Sequence, residues 1–67
     1  MKTVTAVFYR TWGSFNVKRI DLYYGNKPDP IKSFDGHDLD ELRALAKAWA
    51  IINGFTHMKQ DKARWKL

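Results

Sequence analysis

Apolar and polar positions alternate from the start of the chain. Val4, Ala6 and Phe8 fall on one side, and Thr3, Thr5, Val7 and Tyr9 on the other. A period of two in a run rich in β-branched and aromatic residues predicts a strand over residues 3–10. Trp12-Gly13-Ser14 interrupts it, and a second strand follows from Phe15 to Tyr24, so the two should close into a hairpin. The second strand slips phase: Phe15 and Val17 share one face, whereas Ile20, Leu22 and Tyr24 share the other. A β-bulge near Lys18-Arg19 would return both sets to the core side.

Gly25-Asn26-Lys27-Pro28-Asp29-Pro30 reads as a loop, because two prolines and a glycine are incompatible with a regular ladder. Ile31 to Phe34 is a short third strand. The period then changes. Asp38, with Glu41 three residues on, resembles a capping box, in which each side chain satisfies a free backbone N–H of a new helix. Leu39, Leu42, Leu45, Ala46, Trp49 and Ile52 recur at helical spacing. Gly54 suits a left-handed cap, with Phe55 packing back on the last turn. Beyond it, Phe55 to Met58 and Ala63 to Leu67 read as one or two strands around a turn at Asp61-Lys62. The expected fold class is α+β: an antiparallel sheet of three to five strands, N-terminal hairpin first, with one α-helix packed on one face. Helix and sheet must bury each other's apolar side because neither has another partner.

Length bounds this picture. The 67 residues allow a single small domain, residues 1–67, with one modest core. No cysteine is present, so disulfides and thiolate metal sites are excluded and a reducing compartment fits. The 45% hydrophobic content, with three Trp, three Tyr and four Phe, argues for a folded chain rather than a disordered one. The first residues lack the apolar run of a signal peptide, and no stretch approaches the ~20 apolar residues of a membrane span. The chain is expected to be soluble and cytoplasmic, with no membrane partner.

Charge changes the picture more. Four of the seven acids, Asp35, Asp38, Asp40 and Glu41, crowd into one heptapeptide that contains no base. All 12 Lys and Arg lie outside it against Asp21, Asp29 and Asp61, which leaves +9 on the remaining residues where the whole chain carries +5. Such a surface attracts polyanions, above all nucleic acid. Acids before a helix complement its dipole, so Asp35-Gly36-His37-Asp38 is read as architecture and not as a metal centre. His37 and His57 are far apart in sequence, Ser14 and Ser33 have no adjacent histidine to act as a general base, and no Gly-x-Ser-x-Gly or phosphate loop occurs. No enzymatic activity and no cofactor or metal is expected.

If Val4, Ala6, Phe8, Ile20, Leu22 and Tyr24 meet the helix, the opposite face shows Thr3, Thr5, Val7, Tyr9, Arg19, Asp21 and Tyr23, with Arg10, Trp12 and Lys18 near its rim. Planar rings among guanidinium groups can stack on bases and meet phosphates. The same residue types dominate protein-interface hot spots, and Tyr and Thr are also ordinary strand residues on a solvated face. Lys59, Lys62, Arg64 and Lys66 form either an edge strand, with Ala63, Trp65 and Leu67 turned inward, or a basic arm.

The order of strand, strand, short strand and helix, with Ile31-Lys32-Ser33-Phe34-Asp35 leading into an Ala- and Leu-rich helix, resembles the three-stranded-sheet DNA-binding domains of some phage integrases. The likeness covers Val4 to Asn53 and rests on order and spacing; the chain departs from it by continuing past Gly54. It implies that the exposed sheet face enters a DNA groove. The leading expectation is therefore a non-enzymatic nucleic-acid-binding module. Arg10, Lys18, Arg19, Lys59, Lys62, Arg64 and Lys66 would meet phosphates, and Tyr9, Trp12 and Tyr23 would stack or enter a groove. The alternative is a small inhibitor or adaptor of the phage or mobile-element type that places the same face on a host protein. Either works as a monomer or as a dimer through an open sheet edge.

Overall fold

A computed structural model describes residues 2–10 and 17–65. The element order is β1 (Thr3–Arg10), β2 (Lys18–Tyr23), β3 (Lys32–Gly36), α1 (Leu39–Ile52) and β4 (His57–Gln60), followed by a 3-10 turn at Lys62–Arg64. The expected turn at Trp12-Gly13-Ser14, the Phe15 start of the second strand, Leu67, and the proposed contacts Trp12 and Lys66 lie outside the described residues.

The result is an α+β fold with one four-stranded sheet, order β3-β2-β1-β4, and the helix on one face. β1 and β2 pair antiparallel as the hairpin requires, and β2 pairs antiparallel with β3. β4 differs from expectation by running parallel to β1. Direction explains it. β1 and β3 both oppose β2, and the single helix after β3 carries the chain back along the sheet, about 21 Å for 14 residues. The next strand therefore runs the same way as β1.

Two local readings are corrected. The pairing from Thr5 with Tyr23 to Arg10 with Lys18 is continuous, so no bulge interrupts Lys18-Arg19. Lys18 simply shares the helix side with Ile20 and Leu22. The C-terminal strand falls earlier than the Ala63–Leu67 alternation suggests. Residues 62–64 form the 3-10 turn, and the inward Trp65 packs edge-on against Phe8 with ring centroids 4.8 Å apart.

Val4, Ala6, Phe8, Ile20 and Leu22 are fully buried beneath Leu42, Ala46 and Ala50 of the helix. Two alanines at the contact let the helix sit close to the sheet. At about 100° per residue, Leu45 and Ile52 lie about 100° and 120° around the helix from Ala46. They consequently stay 44% and 83% exposed, although both belong to the apolar series. Asp38 caps the helix by accepting from the Asp40 N–H at 2.9 Å. Gly54 takes the expected left-handed conformation, φ +84°, and the next N–H, from Phe55, returns to the Ala50 carbonyl at 2.9 Å. Phe55 then stacks on Trp49. No helix among the described residues is long and apolar enough to cross a membrane.

The helix lies against β2 and β3. Among the described residues it leaves the β4 side of its own face open and leaves the opposite face of the sheet without a helical cover.

Candidate nucleic-acid interface

Strand register builds the outer face in rows. One row sets Tyr9, Arg19 and Asp35 side by side across β1, β2 and β3, and the next sets Val7, Asp21 and Ser33. A third places Lys59, Thr5 and Tyr23 across β4, β1 and β2. Because side chains alternate between faces, all nine point away from the helix.

Polar contacts tie the rows together. Arg19 grips Asp35 with two donors, Nε to Oδ1 at 2.6 Å and Nη2 to Oδ2 at 3.3 Å, and its Nη1 donates to the Tyr9 hydroxyl at 3.3 Å. The hydrogen bond to Asp35, then that to Tyr9, pushes the guanidinium further up from its already high pKa. Asp21 is the one buried acid among the described residues, on the outer face, and it accepts from Ser33 Oγ at 2.5 Å and from the Tyr23 hydroxyl at 3.4 Å. Those bonds offset the cost of desolvating a carboxylate.

Desolvation raises the Tyr9 hydroxyl above its ordinary 10.0; the bond from Arg19 opposes the rise and the Asp21 charge adds to it. Desolvation likewise raises Tyr23, where the Asp21 charge adds and the Arg64 charge opposes. Both tyrosines are thus neutral donors at physiological pH.

The C-terminal turn supplies what the strands cannot. After β4 ends, the Asp61 N–H donates to the Ala6 carbonyl at 3.0 Å, and the 3-10 turn follows along the exposed edge of β1. Trp65 goes to the helix side of that edge, while the Arg64 guanidinium lies 4.6 Å from the centre of the Tyr23 ring on the outer side. An open hollow of about 420 Å³ remains on the outer face, floored by Val7 and walled by Tyr9, Tyr23, Ala63 and Arg64.

The residues singled out from sequence divide accordingly. Tyr9, Arg19, Tyr23, Lys59 and Arg64 gather on the outer face. Arg10 and Lys18 share the strand phase of Phe8 and Ile20 and belong to the helix-side rim, where the Lys18 ammonium donates to the His37 carbonyl at 3.2 Å. Lys62 lies 5.9 Å over the Trp65 ring. Arg19 is not a free cation, because Asp35 neutralises it. Asp35 belongs to the sheet face and not to the helix cap, and β3 parity was the signal: Ser33 and Asp35 alternate with Phe34.

The chain matches none of the protein-family models, curated proteins or solved structures with which it was compared.

Proposed function

We propose that the protein is a non-enzymatic nucleic-acid-binding module that takes unpaired bases on the outer sheet face. The hollow between Tyr9 and Tyr23 carries the reading, since it sets two neutral rings beside an apolar floor with Arg64 at the wall. A base entering it would stack on a tyrosine ring, and Arg64 and Lys59 would meet the flanking phosphates. Stacking of this kind accepts any base and contributes about 1–3 kcal/mol per base. The basic excess outside the helix cap favours approach of a polyanion from long range.

A second reading, a small inhibitor or adaptor that sets this face on another protein, draws on the same geometry. The Arg19–Asp35 pair gives the face mixed charge, and mixed charge with tyrosine suits a protein surface.

Fluorescence anisotropy separates the two. A labelled single-stranded oligonucleotide and the matching duplex are titrated at about 50 mM salt and again at higher salt. Nucleic-acid binding predicts preference for the single strand and a log affinity that falls linearly with log salt, by about 0.7 per phosphate neutralised. Tyr9→Ala and Tyr23→Ala should each weaken binding about 5- to 150-fold, the equivalent of one stacked base, while the thermal transition persists. Absence of binding to either oligonucleotide at about 50 mM salt refutes the nucleic-acid reading and leaves the protein-docking one.

A further inference from the structure

On the other side of the sheet, the helix covers β2 and β3 and leaves β4 with a groove of about 330 Å³ between itself and α1. Its apolar lining comes from Ala50, Ile51, Phe55 and Met58, and Arg43 and Lys47 line it as well. Ile51 is 64% exposed beside it. β4 is also an edge strand. His57 and Asp61 turn their N–H groups to β1, donating to the Lys2 and Ala6 carbonyls at 3.2 and 3.0 Å. Backbone groups alternate along a strand, so Met58 and Gln60 turn their N–H and C=O groups outward, toward an edge that pairs with no strand among the described residues.

We propose that β4 and this groove form a second binding site, which takes an extended segment of a partner protein that alternates apolar and acidic residues. The guest would pair with Met58 and Gln60 as a fifth strand, the strand-addition mode of peptide recognition. Period-two geometry sends its alternate side chains to opposite faces. One set enters the groove against Ile51 and Met58. The other falls on the outer side, where Lys59 projects from β4.

Charge selects the occupant. Arg43 shares its charge with Asp40 at 2.8 Å, but Lys47 and Lys59 sit in no ion pair among the described residues. A second copy of this chain would bring one basic edge against another, and like charges opposite one another across strands are destabilising. Lysine on a short edge strand is a usual guard against self-pairing. Acidic residues on the guest convert that guard into attraction. The inference shares Lys59 with the nucleic-acid reading and otherwise uses the helix-side groove and the outer edge of β4.

The test titrates the isotopically labelled protein, followed by amide NMR, with a capped peptide of about eight residues that alternates glutamate with valine and isoleucine. Saturable shifts are expected at Ile51, Met58 and Gln60, with slowed hydrogen exchange at the Met58 and Gln60 amides. The same peptide with lysine in place of glutamate should not bind. Gln60→Pro removes one outward N–H without touching the bonds to β1 and should abolish binding. Should that variant fail to fold, Lys59→Glu at an exposed β4 position serves instead; it opposes the acidic set of the guest, should weaken binding about tenfold at low salt and should leave the thermal transition in place. The proposal is overturned by no saturation up to about 1 mM peptide, by shifts confined to the Tyr9 and Tyr23 face, or by a β4-mediated dimer in sedimentation.

Discussion

Asp35→Asn should make the protein bind nucleic acid more tightly. Asp35 holds the Arg19 guanidinium through two contacts, 2.6 and 3.3 Å, in the middle of the outer face. The amide keeps the shape of the carboxylate and removes its charge, which releases Arg19 to a phosphate. On a single strand each neutralised phosphate contributes a salt exponent of about 0.7, so one added contact multiplies affinity about eightfold at 50 mM salt and about fourfold at 150 mM. The log–log salt slope should steepen by the same 0.7. The stability cost is small: the side chains are 39% and 52% exposed, and a pair so well solvated contributes at most about 1 kcal/mol. For a domain of this size that lowers Tm by roughly 4–8 °C at the outside. Anisotropy titrations of both proteins over a salt series, beside a thermal melt of each, make the measurement. An unchanged or reduced affinity in a folded Asp35→Asn variant refutes the assignment of the interface to this face.

Arg64→Ala should weaken oligonucleotide binding and flatten the salt slope by about 0.7, with a stability loss no larger than the roughly 0.5–1 kcal/mol of an exposed cation–π contact; anisotropy and a melt read both. The hydroxyls of Tyr9 and Tyr23 are held above their ordinary 10.0, chiefly by burial. Folding therefore favours the protonated form, and this contribution to stability is complete below pH 10 and is lost as pH rises through the folded values. Alkaline melts, with tyrosinate absorbance followed in parallel, should show Tm falling only above about pH 10. Leu42→Ala opens a cavity at a fully buried position and should cost about 2–5 kcal/mol. Ile52→Lys at an 83% exposed position should change stability by less than about 0.5 kcal/mol. Urea titrations of both check the pair.

Much of this fold was legible in the residues, and the reason is local. Val4, Ala6 and Phe8 share a face through the two-residue period of a strand, and Asp38 and Gly54 mark the helix ends through backbone hydrogen bonding a few residues away. Such signals need no knowledge of distant chain. The outer-face membership of Tyr9, Arg19 and Tyr23 followed from the same alternation.

Tertiary structure decided whatever depends on two distant segments meeting. The parallel β4 follows from one helix reversing the chain direction. Arg19 loses its freedom to Asp35, 16 residues later, because β3 lies beside β2. The apolar series of the helix spans a wider arc than one sheet contact can cover, so Ala50 is buried while Ile52 faces solvent. Alternation of Ala63, Trp65 and Leu67 suggested a strand, yet residues 62–64 turn, and Arg64 and Trp65 take opposite sides of the β1 edge. The hollow and the β4 groove exist for the same reason. Each is the space left over once a single helix and a short terminal turn have covered what they can of a four-stranded sheet.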